Sequence, residues 1–130
     1  MDRPVLVDSN VFIALLRQGK DPSWVRTECY ASTDLLTCGM VRLEVLRGVR
    51  VTPIRERLAA FFDILKNVPT DSSLWEAAVD LAWNLDRLGR VIPATDILIA
   101  ATALRAGAVV LTQDRHFHAV PDLDVLDFEA

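Results

Sequence analysis

The chain has 130 residues, of which 52% are hydrophobic, a net charge of −4 and two cysteines. That length and apolar content suit one domain with a full core. They exclude a disordered chain, a disulfide-stapled scaffold and, with no apolar run near the ~20 residues a helix needs, a membrane span. Residues 1–130 are therefore read as a single domain with no linker or internal repeat. No basic leader opens the sequence at Met1, and Cys29 and Cys38 are read as free thiols, so a cytoplasmic protein is expected. The negative net charge argues against nucleic acid as a partner, but the charge is uneven. Between Met40 and Arg57, Arg42, Arg47, Arg50, Arg55 and Arg57 outnumber Glu44 and Glu56, a local charge of +3.

Pro4-Val5-Leu6-Val7 is an unbroken apolar run that reads as a strand buried on both faces. It ends in Asp8-Ser9-Asn10, and Val11 to Leu16 then continue as a helix. Asp8 thus sits at the carboxyl end of a parallel strand, where open α/β sheets bind ligands, although an Asp there also serves as a helix cap. Gly19, Asp21 and Pro22 break the pattern. Trp24 to about Ser32 suggests a second helix, and Asp34 to Cys38 a buried strand. Met40 to Arg47 reads as a helix closed by Gly48. Pro53 opens another, with Ile54, Leu58, Phe61, Phe62 and Leu65 at helical spacing. Asn67-Val68-Pro69 reads as a brief edge strand. Ser73 to Glu76 fits a capping box ahead of a long helix with Leu74, Ala78, Leu81, Leu85 and Leu88 on one face. Trp75, Val79 and Trp83 widen its apolar stripe as core or partner contact. Pro93 and Thr95 open a helix from Asp96 to Ala106, Ala108 to Thr112 is a second buried strand, and Asp124 to Asp127 a last weak one. Strands alternating with helices predict a parallel sheet covered on both faces.

Glu44, Asp96 and Asp114 join Asp8 as acids that a solvated surface does not explain. Asp96 lies in the first turn of a helix among Ile99, Ala100 and Ala103. Glu44 is central in an apolar and basic helix. Asp114 follows the Val109–Leu111 strand as Asp8 follows the first. Each has an ordinary reading: dipole stabilisation for Asp96, an ion pair to Arg47 for Glu44, a turn or cap for Asp114. If the two strands are adjacent, Asp8 and Asp114 face one crevice. Carboxylates gathered there take up protons or hold a hard divalent cation such as Mg²⁺ or Mn²⁺.

The residues Val7-Asp8-Ser9-Asn10, Glu44 within Val41 to Gly48, Asp96 within Pro93 to Ala103, and Thr112-Gln113-Asp114-Arg115-His116-Phe117 come in an order and at distances that resemble the PIN domain, specifically the toxin ribonucleases of the VapC type. The resemblance covers nearly the whole chain. It implies an α/β fold, a PIN-like three-layer sandwich whose central parallel sheet has five strands in the order 3-2-1-4-5. It implies a Mg²⁺- or Mn²⁺-dependent endoribonuclease with Asp8, Glu44, Asp96 and Asp114 as the metal-binding and catalytic acids, Asp114 being the most variable position in such proteins. Ser9, Asn10 and Thr112 would orient those carboxylates. Arg42, Arg47 and Arg50 would grip RNA backbone. A homodimer and a VapB-type antitoxin are the expected partners, with Phe12, Leu15, Leu16, Trp24 and Tyr30 offering an apolar groove to a helix. His116 and His118 are read as packing or capping residues. Two rival functions stand beside this one. A phosphotransferase using Asp8 as nucleophile would want a second acid where Asn10 stands. A non-catalytic PIN-like module binding RNA or protein would not need all four acids.

Overall fold

A computed structural model describes residues 3–29 and 33–129, side chains of 28 and 29 excepted. Five strands form one parallel sheet: β1 (Val5–Val7), β2 (Leu35–Thr37), β3 (Lys66–Asn67), β4 (Val109–Thr112) and β5 (Val125–Asp127), in the order β3-β2-β1-β4-β5. The expected order 3-2-1-4-5 is the observed one. The helices are α1 (Ser9–Arg17), α2 (Gly39–Arg47), α3 (Thr52–Ile64), α4 (Ser72–Arg87) and α5 (Ala94–Ala106). The chain steps outward from β1 to β3, then crosses back to β4. Right-handed crossovers in opposite directions place the earlier and later helices on opposite faces of the sheet, making three layers. The reversal leaves a crevice between the carboxyl ends of β1 and β4.

β1, β2 and nearly all of β4 are buried, as strands covered on both faces must be. Phe12 anchors α1 beneath them, meeting Phe61 and Phe62 of α3 edge-on at centroid distances of 5.9 and 5.3 Å. α5 is buried along most of its length, so its small residues Ala100, Ala101 and Ala103 let it lie close to its neighbours. Gly107, at φ 64°, ends it in the left-handed conformation that glycine adopts without steric cost. No helix among the described residues is long and apolar enough to cross a membrane.

Several local expectations are corrected. The cap of α4 is Asp71, whose Oδ1 accepts from the Leu74 amide at 2.9 Å, while the Ser73 hydroxyl donates to that same oxygen at 3.0 Å. The capping box at Ser73 and Glu76 fails because the helix begins earlier, at Ser72 with Asp71 as its cap, so Ser73 already lies inside the first turn. Asp71→Ala is expected to destabilise the fold, read as a lower urea midpoint at unchanged slope. The second helix is only a π-helical turn over Val25–Cys29, and the part of it predicted over 30–32 lies outside the described residues. The edge strand falls at Lys66–Asn67, so Pro69 sits clear of the ladder. Ile54 and Leu88 are exposed and leave the core faces assigned to them. Trp75, Val79 and Trp83 are exposed too, more than half of each, so of core and partner contact the core reading is excluded.

Candidate active site

The register places Val7 of β1 beside Leu111 of β4, and the Asp8 amide donates to the Leu111 carbonyl at 2.9 Å. The adjacency that the crevice argument needed is present. Asp8 caps α1 through Oδ1, which accepts from the Ser9 amide at 2.8 Å. Its other oxygen, Oδ2, accepts from the Thr112 hydroxyl at 2.7 Å. Asp8 is therefore a cap, and capping does not use up its carboxylate, since the second oxygen is held at the β1–β4 crevice by Thr112.

Thr112 uses its whole hydroxyl. It donates to Asp8 and accepts from the Asn10 side-chain amide at 3.2 Å and from the Asp114 backbone amide at 2.9 Å. Asn10 in turn accepts from the Gln113 amide at 3.2 Å. These bonds fix the loop after β4 against the start of α1. The Ser9 hydroxyl donates to Glu44 Oε1 at 3.1 Å, with Asp8 Oδ1 3.4 Å away, and so links α2 to the same centre. Among the described residues Glu44 makes no ion pair with Arg47, which removes the ordinary explanation for an acid in that helix.

Asp96 opens α5 and is almost wholly buried. His116 meets it, Nδ1 to Oδ2 at 2.9 Å, and lies 3.0 Å from Asp114 Oδ1. Ligand atoms of Asp96, Asp114 and His116 all fall within 4.8 Å of one another, a group that could hold a metal ion. His116 was expected to be a packing or capping residue. Instead the short 3-10 turn Arg115–Ala119, capped by Asp114 through the His116 amide, aims its ring at the acids. An Asp two residues before a His, in a turn directly after a buried strand, is the one signal that could have found it.

The electrostatics are those of crowded acids. Burial pushes the Asp8 carboxyl from its ordinary 3.8 up to about 6; the Thr112 bond opposes this, and the charges of Asp96 and Glu44 add to it. Burial also raises Asp96, against a lowering hydrogen bond from His116 and with Asp114 raising it further. That bond to Asp96 holds His116 above its usual range. The nearby Cys38 thiol is pushed up by burial and is inert as a nucleophile.

The arginines expected to serve RNA divide. Arg42 pairs with Asp63 at 2.9 Å and lies over the Phe62 ring, so α3 already engages it. Arg47 and Arg50 are exposed and, among the described residues, make no ion pair. Phe12 and Leu15 are fully buried and unavailable to a partner, Leu16 and Trp24 are half-buried, and Tyr30 lies outside the described residues. The groove that remains beside Glu44 is lined by Ile13, Leu16, Val45 and Val49.

Fold and site together define a three-layer α/β protein with a carboxylate centre at the carboxyl edge of its sheet. The chain belongs to the PIN domain family, whose pattern matches residues 5–123. It is 32% identical over 127 residues to Ribonuclease VapC4 of Mycobacterium tuberculosis, covering 95% of this chain and 96% of that one. Its fold is shared with the VapBC2 complex of Rickettsia felis bound to a promoter DNA fragment (TM-score 0.82, 18% identity, 97% and 99% of the two chains). It is shared as well with the DNA-bound VapBC complex of Salmonella typhimurium (TM-score 0.77, 21% identity, 98% of each chain). VapC20 of Mycobacterium tuberculosis, a toxin that cleaves the sarcin–ricin loop, has the same fold (TM-score 0.64, 19% identity, 88% and 93%).

Proposed function

We infer that the protein is an endoribonuclease, the toxin of a VapBC-type toxin–antitoxin pair, and that it works with a divalent metal ion, Mg²⁺ or Mn²⁺. The observation that supports this reading is that Asp96 and Asp114 bring ligand atoms, with His116, within 4.8 Å of one another, while Ser9 links Asp8 to Glu44 and Asp8 feels the charge of Asp96. The donor set fits such an ion. It is carboxylate oxygen with the His116 imidazole beside it, and the Asp8 and Asp96 carboxyls, raised chiefly by burial and further by neighbouring acids, would be held in their charged form by a cation. Asp8, Asp96 and Asp114 would hold the ion, with Glu44 completing the set. When bound, it would supply Lewis acidity toward the scissile phosphate and make water a better acid at neutral pH.

The chain's own residues supply position and proton transfer. Ser9 and Thr112 fix both oxygens of Asp8, so that carboxylate cannot rotate away during reaction. Glu44 is less buried and is tethered through Oε1 alone, which leaves Oε2 open to accept a proton from the attacking water. Arg47 and Arg50, exposed and without an ion pair among the described residues, would take the RNA backbone. The groove at Ile13, Leu16, Val45 and Val49 runs beside Glu44, so an antitoxin segment seated there would also close the site. The exposed Trp75, Val79 and Trp83 line one face of α4 at four-residue spacing, and we assign that face to the homodimer.

The test is cleavage of folded transfer RNA and of ribosomal RNA by antitoxin-free protein with Mn²⁺. Discrete cuts that vanish with chelator and in Asp8→Asn are expected. Metal binding without cleavage of either RNA would leave the non-catalytic RNA- or protein-binding module as the better reading.

A further inference from the structure

We propose that the open cavity beside the acid centre, lined by Gln113, Arg115, His118, Asp127, Phe128 and Glu129, receives one unpaired nucleotide of the RNA next to the scissile bond and selects guanosine there. This rests on the endoribonuclease reading of the acid centre. The cavity's volume of about 500 Å³ is within the range of sites that enclose a small organic ligand.

Its position comes from the sheet. Asp127 of β5 is paired with Thr112 of β4, and the Phe128 amide donates to the Thr112 carbonyl at 2.8 Å. Thr112 is the residue that anchors Asp8. The cavity therefore begins one strand spacing, ~4.8 Å, from Thr112, and two from the strand that ends in Asp8. Gln113 and Arg115, which line it, flank Asp114 in sequence. The 3-10 turn points its two histidines to different places: His116 to Asp96 and Asp114, His118 to Asp127, with Nε2 donating to Oδ1 at 2.8 Å.

The chemistry of the lining favours a nucleotide over an isolated phosphate or a basic peptide. Two carboxylates face one guanidinium, which disfavours a bare polyanion. Arg115 makes no ion pair among the described residues and would repel a lysine or arginine side chain, yet suits a flanking phosphate. Phe128 is half-buried, braced edge-on by Trp24 at 6.4 Å, and offers a wall for a base to stack on. His118 takes one lone pair of Asp127 Oδ1, and Oδ2 has no hydrogen-bond partner among the described residues, so both oxygens can still accept. A carboxylate only accepts. Guanine is the base whose Watson–Crick edge presents two neighbouring donors, N1–H and the N2 amino group. Adenine, cytosine and uracil each set an acceptor beside their donor there, and that acceptor would face a carboxylate. The base must be unstacked to enter, which assigns the cut to a loop or single strand.

The test has two arms. In the first, backbone amide resonances of Gln113, Arg115 and Phe128 in ¹⁵N-labelled protein are followed as GMP, IMP, AMP, CMP, UMP or arginine amide is added. GMP is expected to shift them and to bind about tenfold or more tighter than AMP, CMP or UMP, with IMP, which lacks the amino group, in between. In the second, a randomised single-stranded RNA pool is cut and the ends are sequenced. Guanosine is expected at one fixed position flanking the cut, and that enrichment should be lost in Asp127→Asn. Equal binding of all nucleotides, or shifts from arginine amide alone, overturns the inference, the latter in favour of a peptide site. Cleavage without a flanking guanosine overturns it and leaves the nuclease standing. GMP binding in the cavity with no RNA cut supports the base site and takes down the nuclease reading instead. The nucleotide comparison on the unaltered protein needs no variant to fold.

Discussion

Asp8→Asn is expected to cut RNA on the order of a thousandfold or more slower, and at the same time to remove a pH dependence of stability that the metal-free protein carries. The activity loss follows from losing a carboxylate that would hold the ion, an interaction worth several kcal/mol in the transition state. The stability effect follows from the Asp8 carboxyl, displaced from 3.8 to about 6, chiefly by burial. A carboxyl raised by folding binds its proton more tightly in the native state. It therefore costs nothing below about pH 4, where both states are protonated, and its full penalty applies above about pH 6. Metal-free wild type should lose on the order of 3 kcal/mol of unfolding free energy between pH 4 and pH 7 through this group, an upper figure for a site with partial access to water. Asp96 is raised and contributes with the same sign. His116, also raised, stabilises the fold below its unfolded pKa and ceases to as pH rises through the folded one, again the same direction. Urea unfolding in chelator at several pH values measures the slope, and the asparagine variant should flatten it. A wild-type curve already flat across this range would mean that the acids are better solvated than their burial implies.

Mn²⁺ should raise the melting temperature of the wild type by about 10 °C at a hundredfold excess over its dissociation constant, since binding only the native state stabilises it by about 2.7 kcal/mol there. Asp96→Asn should fold and lose most of that shift. Asp96 touches His116 and neighbours Asp114, so removing its charge takes out the centre of the group that could hold the ion. An unchanged Mn²⁺ shift in this variant would move the ion to another part of the crevice. An unfolded variant would show that Asp96 serves the α5 N-terminus and not the site.

The parts of the fold legible in the sequence are those where burial is complete. β1 and β4 are apolar runs with no alternative as helices of that length, and the acid after each is visible because a buried strand cannot end in one without cause. α5 shows by its small residues. What escaped is set by competition between near-equal local groups. Asp71 and Ser73 both suit the α4 cap, and only the distances choose between them. The exposure of Trp75, Val79 and Trp83 depends on how far the core reaches around α4, which periodicity alone does not fix. His116 escaped because its partner Asp96 is 20 residues away, a contact made by the turn after β4 and invisible to any local pattern.

The pairing of β1 with β4 joins residues 104 apart, and the Thr112 to Asp8 bond spans the same separation. Until that late strand slides in beside the first one, Asp8 has no Thr112 to steady it, Asp114 and His116 have nowhere to meet Asp96, and the edge of β1 is bare. Closing so long a loop is slow compared with forming α1 to α3. During synthesis, the segments that carry Asp8 and Glu44 emerge well before β4. On the endoribonuclease reading proposed above, the nascent chain therefore lacks an assembled acid centre for nearly its whole translation. The topology builds in an interval in which an antitoxin made alongside can be waiting when β4 docks.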